Sequence, residues 1–133
     1  MTDSAFKTGP LGDLRVLEMG TLLAGPFCGQ LLGDMGAKVI KIEPPNQGDP
    51  SLWWPVVARN KKAVTLDLRQ AEGQQVLREL VARTDFVLEN FRPGTLEKWG
   101  LGWRELSEIN PRLIMIRVSG FGQTGPYASQ AGF

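Results

Sequence analysis

The sequence predicts an α/β fold with a mostly parallel sheet and flanking helices, on two observations. Short, nearly continuous apolar runs alternate along the chain with longer segments whose apolar residues recur at helical spacing. Continuous apolar runs are typical of strands that are covered on both faces. Strands that alternate with helices form parallel sheets, because each helix returns the chain to the edge at which the previous strand began.

The first part of the chain predicts a strand–helix–strand unit. The strands are the apolar runs at residues 14–19 and 39–42, and each ends at a glycine, a charge or a proline. Between them, Pro26 suits the first turn of a helix and Gly36 ends it. Apolar residues of this helix recur on one face: Phe27, Cys28, Leu31, Leu32 and Met35.

The second part continues the alternation. Residues 49–62 are loop-like, and Val64, Leu66 and Leu68 then alternate with polar residues, as in a half-buried strand. The elements predicted after this strand are a helix, a strand, two short helices and a strand, at residues 70–83, 86–88, 94–99, 103–109 and 113–118.

The chain ends on the loop-like segment 119–133, and no helix follows to cover the last strand. We therefore expect an incomplete, amino-terminal part of a larger domain. Residues 1–12 are predicted to be a tail and residues 13–133 one truncated α/β region.

Composition excludes several classes of function. The 15 basic residues nearly balance the 14 acidic residues, which argues against a nucleic-acid partner. The chain has no histidine, which excludes imidazole bases and most zinc sites, and no metal is expected. The lone Cys28 and the absence of a long apolar run predict a cytoplasmic protein without a membrane segment.

Ligands of open α/β sheets bind beyond the carboxyl ends of the strands. Five segments follow predicted strands directly, and most carry Gly or Pro. They are residues 20–26, 43–46, 69, 89–98 and 119–126. A dinucleotide site is one interpretation of this edge, with Glu43 placed to bind ribose, but Leu22 stands where the close-approach glycine of the GxGxxG turn belongs.

Four segments carry a family resemblance: PLGDLRVLEMGTLLAGPFCGQLLGDMGAKVIKIEPP (10–45), LDLR (66–69), VLENFRPGTLEKWGL (87–101) and INPRLIMIRVSGFGQTGPY (109–127). Together they resemble the amino-terminal region of the family III CoA-transferases, which include formyl-CoA and carnitine CoA-transferases and 2-methylacyl-CoA racemases. The resemblance implies a Rossmann-like sheet and coenzyme A as the acyl carrier. Its substrates would be an acyl-CoA and a carboxylic acid.

The resemblance also implies which residues bind CoA. The segment from Leu66 to Arg69 would lie against the nucleotide, with Arg69 on a phosphate; a guanidinium suits this contact because it can bind in bidentate fashion. Asn90 and Phe91 would contact pantetheine, one through its amide and the other as an apolar wall. The alternative is that Asn90 caps a turn and Phe91 belongs to the core.

Other matches are less complete. Lys98 stands at a position that is often Arg in the family and that reaches a CoA phosphate. Pro44 replaces a phosphate-binding Arg of some members, and a neighbouring lysine, Lys61 or Lys62, is a candidate to compensate. The loop over the acyl end would be formed by Thr21, Leu22 and Leu23. Two leucines there indicate an acyl group that is bulkier or less charged than oxalate, unless they pack under the helix.

The catalytic group of the family is an aspartate that forms an aspartyl-CoA thioester, and by resemblance it lies beyond residue 133, so we expect no catalytic residue in this chain. Racemases of the family carry a histidine where this chain has Phe133, which favours transfer over the alternative of racemisation. The intact family forms interlocked homodimers. A further alternative is a non-catalytic interaction fragment that associates through Trp53, Trp54 and the uncovered last strand.

Overall fold

The computed structural model describes residues 9–45 and 54–132. Its centre is a parallel five-stranded sheet in the order β3-β2-β1-β4-β5. The strands are β1 (Arg15–Glu18), β2 (Lys38–Glu43), β3 (Lys61–Thr65), β4 (Phe86–Glu89) and β5 (Ile114–Arg117). The predicted α/β fold with a mostly parallel sheet is confirmed.

Helices cover both faces of this sheet. They are α1 (Ala24–Asp34), α2 (Trp54–Val57), α3 (Ala71–Val81), α4 (Thr95–Lys98) and α5 (Trp103–Ile109). The larger core lies between the sheet and α3, α4 and α5, and a smaller core lies between the sheet and α1. The short helix α2 begins inside the segment that we predicted to be a loop, where Pro55 occupies a first-turn position that needs no amide donor.

The central strands show why their sequences are continuously apolar. In β1, Val16 packs on the α1 side and Leu17 on the α3 side; in β4, Leu88 and Val87 divide in the same way. None of these four side chains is more than 1% exposed. Burial of each such side chain stabilises the fold by about 1.5–3 kcal/mol relative to exposure. Residues 9–12 of the predicted tail form a turn against the end of α1, where the Leu11 amide donates to the Met35 carbonyl at 3.0 Å.

The predicted half-buried strand at Val64, Leu66 and Leu68 is wrong in its position. Strand β3 spans residues 61–65 at the sheet edge, and its residues are mostly exposed. The chain leaves the sheet because the Asp67 carboxylate accepts the Arg69 amide at 3.0 Å and so closes a tight turn. Leu68 is buried by this turn and by the larger core, not by strand pairing.

The apolar face predicted for α1 is also not the face that packs on the sheet. Phe27, Leu31 and Met35 are exposed, and only Cys28 and Leu32 are partly buried. The buried residues of α1 are small or polar: Gly25, Pro26, Gly29 and Gln30. The reason is the surface beneath the helix, because the Glu18 carboxylate lies so close to Gly29 that a Cβ there would overlap Oε2.

We predict that Gly29→Ala destabilises the protein by about 1–3 kcal/mol, because the added methyl must displace the Glu18 carboxylate or lift the helix. The matched control is Leu31→Ala, an exposed position on the same helix, for which we expect a change within about 0.5 kcal/mol. Urea unfolding of both variants measures the difference. Equal stabilities would show that α1 does not approach the sheet this closely.

The carboxyl end of α1 is fastened to the turn before β3. Asp34 accepts two hydrogen bonds from the Arg59 guanidinium, at 3.1 and 2.6 Å, and one from the Asn60 amide at 2.7 Å. The Arg59 hydrogen bonds are the main cause that lowers the pKa of Asp34 from 3.8 to about 2.

The lowered pKa of Asp34 gives a prediction with a definite sign. Because the folded-state pKa is depressed, the stabilisation from Asp34 is present above the ordinary aspartate pKa and is lost as the pH falls through about 2. An NMR titration of the side-chain carboxyl carbon should place its midpoint near the lower value, and Arg59→Gln should move it towards 3.8. A midpoint at 3.8 in the unaltered protein would contradict the pairing.

Candidate functional site

The strand order places a topological switch point between β1 and β4. From β1 the chain proceeds through β2 to β3 on one side, and β4 and β5 lie on the other side. Loops at the carboxyl ends of β1 and β4 therefore diverge, and a crevice opens between them, which is where open α/β sheets bind ligands. Two clefts lie at this edge, one on each side of Thr21 and Phe91, and both residues line both clefts.

The first cleft has a volume of about 430 Å³ and lies over the ends of β1, β2 and β3. It is lined by Met19, Thr21, Ile42, Pro44, Pro45, Leu66, Asp67, Leu68, Arg69, Phe91 and Trp99. Its walls are largely apolar, and the charges sit at one corner, on Asp67 and Arg69. This combination of an apolar wall and a few polar groups is typical of sites for amphipathic small molecules.

The charged corner is a bidentate ion pair. Arg69 Nε and Nη2 donate to the two carboxylate oxygens of Asp67 at 2.8 and 3.0 Å. These side-chain bonds are the main cause that lowers the pKa of Asp67 and raises the pKa of Arg69, so both groups are charged at neutral pH. The Arg69 side chain is 65% exposed, and its guanidinium is therefore accessible to an anion in the cleft.

The second cleft has a volume of about 300 Å³ and lies over the ends of β1, β4 and β5. It is lined by residues 21, 22, 24, 90–93, 118–120 and 130–132. Arg92 is the only cation among these lining residues. The sequence interpretation does not include Arg92, although this residue lies inside the ENFRPG segment. Its position directly after Asn90 and Phe91 is the signal that could have identified it.

The wall between the two clefts is held by Asn90. Its side-chain oxygen accepts the Thr21 amide at 2.7 Å, and its side-chain nitrogen donates to the Thr21 carbonyl at 2.9 Å. The same oxygen would lie 3.0 and 2.9 Å from a Cβ at Gly20 and Gly25, so both positions leave room for it. Asn90 thus binds the backbone of the neighbouring loop, a contact that neither interpretation of this residue proposed, and its CoA contact stays a prediction.

Phe91 lines both clefts and its ring is set edge-on to Trp99, with centroids 5.6 Å apart and planes at 74°. Its amide donates to the buried Glu89 carboxylate at 2.6 Å. That carboxylate also accepts Arg117 Nε at 2.6 Å, and Arg117 in turn pairs with Glu97. Burial is the main cause that raises the pKa of Glu89, opposed by Arg117. Phe91 is therefore fixed from both its ring and its backbone.

The loop from β1 to α1 does not bring the three residues predicted at the acyl end into the same cleft. Thr21 lines both clefts and Leu22 lines the second, whereas Leu23 lines neither and precedes the first turn of α1. Leu22 has φ 57°, a left-handed conformation that costs a residue with a Cβ about 1–2 kcal/mol. Both leucines are exposed, so they do not pack under the helix.

The other cations proposed from the sequence are not brought into the clefts. Lys98 is exposed at the end of α4 and lines neither cleft. The suggestion that Lys61 compensates for Pro44 is wrong, because the Lys61 ammonium is buried and pairs with Glu18 at 2.6 Å. Burial lowers the pKa of Lys61, and Glu18 opposes that shift.

No cluster of metal-ligating residues occurs within the ranges 9–45 and 54–132. None of the helices in those ranges is long and apolar enough to span a membrane. Trp53, Asn46 and Phe133, on which parts of the sequence interpretation depended, lie outside the described residues.

Comparison with known proteins agrees with this geometry. The family model for CoA-transferase family III matches residues 11–133. The chain belongs to CoA-transferase family III. It is 65% identical to the succinyl-CoA–D-citramalate CoA-transferase of Chloroflexus aurantiacus, over 93% of this chain and 34% of that protein. It is 42% identical to the succinate–glutarate CoA-transferase of Agrobacterium fabrum, over 100% of this chain and 38% of that protein.

Solved structures give the same result for the fold of this family III chain. A CaiB/BaiF family protein from Brucella suis superposes with a TM-score of 0.86 at 43% identity, over 94% of this chain and 37% of that one. The resemblance stated from the sequence is confirmed. The chain spans about a third of the length of the relatives that it matches, as the prediction of an amino-terminal part of a larger domain requires.

We predict that Asn90→Leu destabilises the protein by about 1–2 kcal/mol, since a side chain of similar size leaves the Thr21 amide and carbonyl without partners. Hydrogen exchange at the Thr21 amide should accelerate in the same variant. The control is Gln75→Leu, which removes an exposed hydrogen bond on α3 and should leave Thr21 exchange unchanged. Unaltered exchange in Asn90→Leu would contradict the role of Asn90 as a brace.

Proposed function

We propose that this chain forms the CoA-binding part of an enzyme that transfers CoA from an acyl-CoA thioester to a carboxylic acid. The observation that carries the proposal is the pair of clefts at the switch point of the sheet in a family III chain. Arg69, a cation suited to a phosphate, lies in the first cleft, and the wall of Thr21 and Phe91 separates the two clefts. Coenzyme A has a matching sequence of parts: a phosphorylated nucleotide, a thin pantetheine chain and a thioester.

The first cleft suits the nucleotide. Leu66, Leu68 and Trp99 offer apolar surface to an adenine ring, and Arg69 stands at the rim for a phosphate. Asp67 accepts hydrogen bonds from Nε and Nη2 of the guanidinium, so the third nitrogen, Nη1, is not paired with Asp67. Water screens an exposed ion pair, so exchange of Asp67 for a phosphate costs little.

Pantetheine then crosses the wall formed by Thr21 and Phe91 into the second cleft. Phe91 offers an apolar face to the chain, and Asn90, which also lines the second cleft, holds the loop at Thr21. The acyl end would lie near Leu22, with Arg92 available as a cation. We include a succinyl group as donor in the proposal, because relatives of this chain are named as succinyl-CoA transferases and Arg92 can neutralise its distal carboxylate.

The chemistry belongs to an aspartate outside this chain. In the proposed cycle its carboxylate attacks the thioester carbonyl and CoA leaves as the thiolate, which gives a mixed anhydride. The thiolate then attacks the aspartyl carbonyl and expels the donor acid, which leaves an aspartyl-CoA thioester. The acceptor acid repeats these two steps in reverse order and regenerates the aspartate. This chain by itself is inactive in the proposal, and the complete enzyme is a cytoplasmic homodimer.

The proposal predicts that the full-length protein binds CoA and that Arg69→Ala raises its dissociation constant roughly 10- to 100-fold, because a hydrogen bond to a charged group contributes about 1.5–3 kcal/mol. Calorimetry measures the affinity. The control is Arg104→Ala, an exposed arginine of α5 that lines neither cleft. An absence of CoA binding in the unaltered protein, or equal affinities in the two variants, would refute the site.

A further inference from the structure

Three charged side chains are buried together on the α1 side of the sheet and are not used by the proposed function. Glu18 ends β1 and is 0% exposed, and its two oxygens pair with Lys41 at 3.2 Å and Lys61 at 2.6 Å. Lys41 also pairs with Glu43 at 3.3 Å. The two ammonium groups and two carboxylates balance in charge. We call Glu18, Lys41 and Lys61 the ion cluster.

Both lysines of the ion cluster have a second partner on the backbone. Lys41 Nζ donates to the Gly20 carbonyl, and Lys61 Nζ donates to the Pro26 carbonyl at 2.7 Å. These carbonyls lie at the two ends of the segment 20–26, which joins β1 to the first turn of α1. Each lysine therefore connects a fixed carboxylate to one end of the same segment.

The segment between these two carbonyls carries the wall of both clefts. Thr21 lines both of them, and Leu22 stands in the second cleft with a left-handed backbone. A residue persists in this conformation only where its surroundings fix it. Asn90 fixes Thr21 from the β4 side, and the ion cluster fixes the ends of the segment from the β2 and β3 side.

Stability alone does not account for the ion cluster. Apolar side chains of similar volume commonly replace a buried ion pair at no loss of stability. They cannot donate hydrogen bonds to the Gly20 and Pro26 carbonyls. The ion cluster therefore differs from an apolar replacement in one respect: it fixes the position of the segment 20–26.

We infer that the ion cluster is a positioning device for the segment 20–26, which sets the thioester end of the CoA site. The contacts proposed for the nucleotide, at Leu66, Leu68 and Arg69, lie outside this segment. Glu18, Lys41 and Lys61 act through the backbone and touch no substrate. The inference rests on the proposed function, because it assigns the second cleft to the acyl end and the Arg69 corner to the nucleotide.

The test uses the full-length protein and the triple variant Glu18→Met, Lys41→Met, Lys61→Met, which keeps side-chain volume and removes both carbonyl donors. Hydrogen exchange of the Thr21 and Leu22 amides should accelerate at least 10-fold. The kcat/KM for succinyl-CoA should fall roughly 10- to 100-fold, as expected when reacting groups are displaced by about 1 Å. The affinity for adenosine 3′,5′-bisphosphate, measured by calorimetry, should stay unchanged.

Arg59→Gln is the matched control, since it removes an exposed ion pair of the same helix and should change neither exchange at Thr21 nor kcat/KM. Unaltered exchange and kcat/KM in the triple variant would overturn the inference. So would a triple variant that does not fold, because the ion cluster would then hold the fold itself, and so would an equal loss of affinity for the bisphosphate. If the unaltered protein binds neither CoA nor the bisphosphate, the proposed function fails independently of the ion cluster.

Discussion

The close approach of α1 to a buried carboxylate is the constraint on which the rest of the structure depends. Glu18 ends the central strand beneath this helix, where an unpaired charge would cost several kcal/mol. Lys41 reaches it from β2 and Lys61 from β3, so the pairing requires the strand register that places Lys41 opposite Glu18. The helix must then pack closely enough on Glu18 to exclude water, and only a glycine at position 29 allows this close approach.

This arrangement links the interior of the sheet to its ligand edge. The ammonium groups that neutralise Glu18 also hold the carbonyls of Gly20 and Pro26, and Asn90 holds Thr21 from the opposite side. A loop with a left-handed leucine thus becomes a fixed wall between two clefts. A loop without such contacts would have to be ordered by its ligand, at an entropic cost of about 1–2 kcal/mol per residue.

The order of strands and helices was predictable because the apolar residues of each element recur with the period of that element. A strand such as β4 is continuously apolar because it is covered on both faces, whichever strands it pairs with. The packing face of α1 was not predictable in this way. Its periodicity marked Phe27, Leu31 and Met35. The helix packs instead through Gly25, which faces the Asn90 side chain, and Gly29, which faces the Glu18 carboxylate. At the site, the motif residues Leu66, Arg69 and Phe91 do meet in one cleft. The brace role of Asn90 depends on a contact 69 residues away, which no local pattern encodes.

Burial also distinguishes cations that pair inside the protein from a cation that a ligand can reach. Lys41 and Lys61 pair with Glu18 inside the protein and are almost fully buried, so no ligand anion can compete for them without exposing Glu18. Arg69 is paired as well, but its pair with Asp67 is exposed and is screened by water. Under the proposed function, a doubly charged phosphate would replace Asp67 as the partner of this guanidinium. The proposed phosphate site therefore lies at an exposed ion pair and not at the buried ammonium groups.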